Sequence, residues 1–131
     1  MPSASQVVTA PGLSRQLPFS HAVRAGPLVF LSGQASIDEH GQVVADGFEN
    51  EMRRTLGNLR QALVAAGLDL KDVVSARGYL RDEGDFAEYN RIWRECLPEP
   101  YPTRTTVMRC LSSAIRVEIE AIAYDPRGTT P

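Results

Sequence analysis

Two segments constrain this chain more than any other feature of it. Leu28-Val29-Phe30-Leu31 is a continuous apolar run between Gly26-Pro27 and Ser32-Gly33, long enough for a strand and too short for a helix. Val117-Glu118-Ile119-Glu120-Ala121-Ile122-Ala123 reads as a second, largely apolar strand. Strands of this kind need cover on both faces of their sheet. The rest of the chain supplies only two helical patterns, and two helices cover one face. The other face is therefore expected to be buried by further copies of the same chain.

The first helix is expected from Asp46 to Ala66. Phe48, Met52, Leu56, Leu59 and Leu63 recur at three and four, Asp46 and Glu49 have capping-box spacing, and Gly67 supplies the stop. The second is expected from Asp85 to Cys96, with a D-x-x-E box at Asp85 and Glu88 and an apolar stripe of Phe86, Tyr89, Trp93 and Cys96. Pro98, Pro100 and Pro102 end it. Between the helices, Val73 to Leu80 alternates as a strand, with Val74, Ala76, Gly78 and Leu80 on one face and Val73, Ser75, Arg77 and Tyr79 on the other. Thr103 to Val107 is a β-branched run. A strand hairpin, helix, strand, helix and further strands make an α+β domain with a mixed sheet. At 131 residues, residues 1–131 read as a single domain without repeats or an inter-domain linker.

Charge narrows the chemistry. Fourteen basic and sixteen acidic residues give a net charge of −2, which provides no field to gather a phosphate backbone, so nucleic acid is not an expected partner. No apolar run approaches membrane-span length, and the start of the sequence lacks a signal-peptide layout, so a cytoplasmic protein with no membrane partner is expected. Cys96 and Cys110 have no metal-ligand spacing, and His21 and His40 complete no recognisable site, so no metal is expected. His40, in Asp38-Glu39-His40-Gly41, reads as an exposed hairpin tip. Lys71 is the only lysine and lies in a polar connector, whereas thirteen arginines favour static anion binding over amine chemistry.

Arg104, inside Pro102-Thr103-Arg104-Thr105-Thr106-Val107, is the most informative of the arginines, because a guanidinium within a short β-branched strand requires an anionic or polar partner. That partner is either an internal carboxylate, Glu118 or Glu120, or a substrate carboxylate held by a two-bond clamp. Period-two geometry puts Thr106 on the face of Arg104, and puts Glu118 and Glu120 together on one face, about 6.6 Å apart. One of the two could orient or deprotonate a water, with its pKa raised by partial burial. Ser32-Gly33-Gln34 follows the apolar strand, where a glycine serves a turn or lets backbone amides approach a ligand. Asn90 falls between stripe positions of the second helix and, by itself, reads as a surface amide.

Taken together, Pro18-Phe19-Ser20-His21-Ala22-Val23, Val29-Phe30-Leu31-Ser32-Gly33-Gln34, Asn58-Leu59 through Ala65-Ala66-Gly67, Asp72-Val73-Val74, Asp85-Phe86-Ala87-Glu88-Tyr89-Asn90, Pro102-Thr103-Arg104-Thr105 and Val117 to Ala123 resemble the RidA/YjgF family of reactive-intermediate imine deaminases. That family is also labelled the L-PSP endoribonuclease family. The likeness runs over about residues 18–124, and the S-G-Q, P-x-R-[ST] and V-E-I-E-A-I-A pieces at these separations are its specific part. It implies a chorismate-mutase-like fold assembled as a homotrimeric barrel with pockets between subunits. It also implies an enzyme that hydrolyses 2-imino or enamino acids to 2-keto acids and ammonia without a cofactor. Arg104 and Glu118 would be catalytic, one binding the substrate carboxylate and the other positioning water. Phe19, Ser32, Gly33, Asn90 and Thr106 would shape the pocket with Arg104.

Three positions depart from the family pattern. Phe19 stands where tyrosine is frequent, His21 where glutamine is frequent, and Thr106 where the best-known deaminases carry cysteine. The loop Cys110-Leu111-Ser112-Ser113-Ala114-Ile115 lacks the usual proline and is one residue shorter. Loss of a tyrosine hydroxyl keeps a second reading open, a non-catalytic pocket that binds or senses a keto acid. A third, an endoribonuclease or translation inhibitor, follows from the family label and has little support in an acidic chain.

Overall fold

A computed structural model describes residues 6–129. Six strands, β1 (Val7–Val8), β2 (Ala22–Ala25), β3 (Leu28–Ala35), β4 (Val73–Leu80), β5 (Thr103–Met108) and β6 (Val117–Tyr124), form one mixed sheet in the order β1-β2-β3-β6-β4-β5. Strand β6 is antiparallel to both neighbours, and β4 runs parallel to β5. Helix α1 (Phe48–Ala65) connects β3 to β4, and α2 (Phe86–Cys96) connects β4 to β5. Val29, Leu31, Ala76, Leu80, Val117, Ile119, Ala121 and Ala123 meet Met52, Leu56, Leu59, Leu63, Tyr89 and Ile92 in one buried core between sheet and helices. This is the expected α+β architecture.

The opposite sheet face carries no element of the described chain. Phe30 pairs with Ile122 and Tyr79 with Val107. Phe30 and Tyr124 each remain 43% exposed there. Among the described residues, the apolar run of β3 is therefore covered on one side only.

Several local expectations are corrected. Neither helix forms its predicted capping box: α1 starts at Phe48 after Gly47, α2 starts at Phe86, and neither N-cap residue supplies a side-chain cap, although the Gly47 N–H donates to Glu51 Oε2 at 3.0 Å. Asp46 instead pairs with Arg54, Glu49 with Arg53 and Arg91, and Asp85 with Arg116 at 2.8 Å. Ion pairing to arginines has taken the carboxylates that the spacing assigned to backbone amides. The expected stop at Gly67 does form: with Ala66 as the C-cap, Gly67 takes a positive φ of 81°, its N–H donates to Val64 O at 2.9 Å and that of Leu68 to Leu63 O at 2.8 Å. In β4 the register shifts between Val73 and Ser75, so Val73 is buried and Val74 exposed, the reverse of simple alternation. Finally, Ser32-Gly33-Gln34 is not a turn. It lies within β3 at a bulge between Leu31 and Gln34.

Candidate functional site

Arg104 projects from β5 toward α2. It pairs in register with Ala76, and Thr106 with Gly78, the buried positions of β4. Its guanidinium lies 4.7 Å from the centre of the Tyr89 ring and 5.0 Å from that of Trp93, and Nη2 donates to Asn90 Oδ1 at 2.8 Å. Two aromatic faces and an amide fix its plane without neutralising it. The internal ion pair with Glu118 or Glu120 is not formed. Of the described arginines, most pair with carboxylates. Arg104 is half-buried and does not. Asn90, expected as a surface amide, is half-buried and helps hold it.

The seat of Arg104 depends on close packing beneath it. Tyr89 Oη is 3.0 Å from Thr106 Oγ1, and a Cβ on Gly78 would lie 1.9 Å from that phenolic oxygen. Only glycine leaves room for Tyr89 to reach across β4. Burial pushes the Tyr89 phenol above its ordinary pKa, which keeps it neutral beside the arginine.

Glu118 lies on the other face. Its pairing partner in β4 is Tyr79 and that of Glu120 is Arg77, both on the uncovered side. The two carboxylates differ sharply in surroundings. Glu120 accepts a short hydrogen bond from Tyr79 Oη and pairs with Arg77 at 3.8 Å. Glu118 has no hydrogen-bond or ion-pair partner among the described residues, and burial, assisted by the nearby Glu120 charge, raises its pKa. Its carboxylate rests against Gly33, where a Cβ would come within 2.7 Å of Oε2. The bulge glycine thus makes space for the acid.

Glu118 borders a cavity of about 440 Å³ that is also lined by Phe19, Ser32, Gly33, Leu17, Ile37 and Ile115. Ser32 Oγ donates to Ser20 O, which ties the strand to the segment carrying Phe19. Buried His21 tightens the same segment: its Nδ1 accepts from Ala10 N–H at 2.9 Å, and its Nε2 is 2.8 Å from Ser14 O.

The expected site residues therefore fall into two groups. Phe19, Ser32, Gly33 and Glu118 share the cavity, while Arg104, Asn90 and Thr106 cluster under α2. The sheet separates the two groups, so one chain does not bring Arg104 and Glu118 together. Sequence reasoning assigned Tyr89 and Trp93 to the core and missed their hold on Arg104, although their i, i+4 spacing around Asn90 was the available signal. The roles of Tyr79 and Arg77 in engaging Glu120 depended on cross-strand register and had no signal of their own.

These features define a small α+β protein with an arginine held between aromatic rings on one sheet face and, among the described residues, an unpaired acid on the other. The sequence model of the endoribonuclease L-PSP family matches residues 10–125, and the chain belongs to this family, the RidA/YjgF proteins. Among its relatives, the chain is 36% identical over 115 residues to a bovine protein named 2-iminobutanoate/2-iminopropanoate deaminase, covering 86% of this chain and 84% of that one. It resembles the crystal structure of RidA from an Antarctic Psychrobacter (TM-score 0.82, 33% identity, 91% of this chain and 98% of the other). It is also similar to Escherichia coli TdcF with bound serine (TM-score 0.77, 31% identity, 90% and 97%).

Proposed function

We propose that this protein hydrolyses 2-imino acids to 2-keto acids and ammonia at a site assembled from two copies of the chain, one giving Arg104 and the other Glu118. The observation that carries the reading is the pair of uncompensated, half-buried charges. Arg104 keeps free guanidinium donors for a carboxylate, and Glu118 keeps a carboxylate free for water. The naming of a relative as an iminobutanoate and iminopropanoate deaminase supports it.

The chemistry requires orientation and a base. Arg104 holds the substrate carboxylate by planar N–H donation. Glu118 takes a proton from water as its oxygen bonds to the protonated imine carbon, giving a carbinolamine. Return of that proton to nitrogen and cleavage of the C–N bond release ammonia, and loss of the hydroxyl proton leaves the keto acid. A carboxylate with a raised pKa is a better base at neutral pH. The apolar side of the uncovered face, Phe30 with Ile122, fits a homotrimer in which neighbouring sheets close over it.

The test compares Arg104→Ala, Glu118→Gln and Glu120→Gln for hydrolysis of an imino acid generated in solution. The first two should lose roughly 10²–10⁴-fold in turnover or efficiency, and Glu120→Gln much less. Equal losses at the two glutamates would remove Glu118 from its role. Phe19 favours a second reading, a metabolite-binding pocket, because it offers no hydroxyl beside Glu118. Keto-acid or serine binding with no hydrolysis by the wild-type chain would establish that alternative.

A further inference from the structure

We infer that the cavity beside Glu118 selects imino acids with a bulky apolar side chain; the inference rests on the proposed hydrolysis and names its substrate class. The volume is about 440 Å³, within the ~300–1,000 Å³ typical of sites for ligands much larger than a three- or four-carbon acid. The walls are Leu13, Leu17, Phe19, Ile37 and Ile115, and no lysine or arginine lines them.

The polar groups of the lining are mostly engaged in holding the walls in place. Asn58 Nδ2 donates to Ala35 O and Ile37 O at 3.0 and 2.9 Å. Asp38 Oδ1 accepts the His40 and Gln42 amides. Both His21 nitrogens meet backbone groups, and Ser32 donates to Ser20 O. Glu118 and the Gln34 amide are left without partners among the described residues. An acidic side chain entering this space would find no counter-charge and would meet the carboxylates of Glu118 and Asp38. A branched, thioether or aromatic side chain would displace water from Leu17, Phe19 and Ile37 and gain by it. Leu17 is 63% and Phe19 54% exposed in the chain, so this apolar surface is open until something covers it.

The experiment generates imino acids with an amino-acid oxidase from leucine, methionine, phenylalanine, alanine, glutamate and arginine, and follows their loss above the uncatalysed rate. The leucine, methionine and phenylalanine imines should be hydrolysed with kcat/KM at least about tenfold above the alanine and glutamate imines. Preference for the alanine or glutamate imine overturns the inference while leaving the proposed hydrolysis intact, and preference for the arginine imine overturns it in favour of pairing with Asp38. No acceleration of any imine defeats the hydrolysis reading itself. Leu17→Asp, at an exposed position, should lower the leucine-to-alanine ratio by about tenfold, and Leu17→Met should restore it. An unchanged ratio in a folded Leu17→Asp protein would show that this wall is not the side-chain subsite.

Discussion

Glu118 and Glu120 are two residues apart on one strand face, yet Tyr79 and Arg77 engage only the second. The folded chain raises the Glu118 pKa above its ordinary value of 4.5, chiefly through burial. The unfolded chain then releases this proton at lower pH than the folded one, so folding stability falls as pH rises through the interval between the two values. Glu118→Gln should therefore melt at a higher temperature than the wild type at pH 7, with the difference shrinking below the ordinary carboxylate range. The same substitution should abolish the acid limb of kcat/KM, which in the wild type should lie above that range. His21→Ala should lower stability by about 1–3 kcal/mol, read by chemical denaturation, because it strands the N–H of fully buried Ala10. Sequence spacing placed the two glutamates on one face correctly. It could not tell them apart, because the distinction comes from cross-strand partners about forty residues away.

Alternation and helical periodicity located the principal strands and both helices, and their failures share a cause. Arg54 and Arg116 recruit Asp46 and Asp85 away from the helix ends, and arginine reach is invisible to a local pattern. The bulge in β3 hides in the same way: Ser32-Gly33-Gln34 carries the residues of a turn but continues the strand because Glu118 occupies the space beside Gly33. Gly78 is the corresponding demand in β4. Gly78→Ala should push Tyr89 off the sheet, cost about 1–3 kcal/mol of stability and loosen the hold on Arg104. Carboxylate affinity should fall along with the denaturation midpoint. Retention of both would show that α2 can shift without disturbing the seat.

At the scale of the whole molecule, the sheet face left bare by α1 and α2 follows directly from helix count and strand hydrophobicity, and that much was legible from Leu28 to Leu31 and the two helical stripes. The division of the site between the two faces was not. Arg104 and Glu118 each satisfy their own local pattern, and only the register of β4 against β5 and β6 sets them on opposite sides. On the proposed assembly, light scattering should give a trimer at micromolar concentration. A monomer there would remove the shared site.

On the proposed assembly, that division would give inactive chains a means of repairing one another. Arg104→Ala chains retain Glu118, and Glu118→Gln chains retain Arg104. Unfolding the two dead variants together and refolding them at equal ratio should regenerate about one quarter of the intact sites, since each site then draws its arginine and its acid independently from two chains. The same arithmetic makes a cell carrying one altered copy of such a gene lose more than that copy's share of sites when both residues are altered at once, because a mixed site is spoiled whichever residue the altered chain supplies.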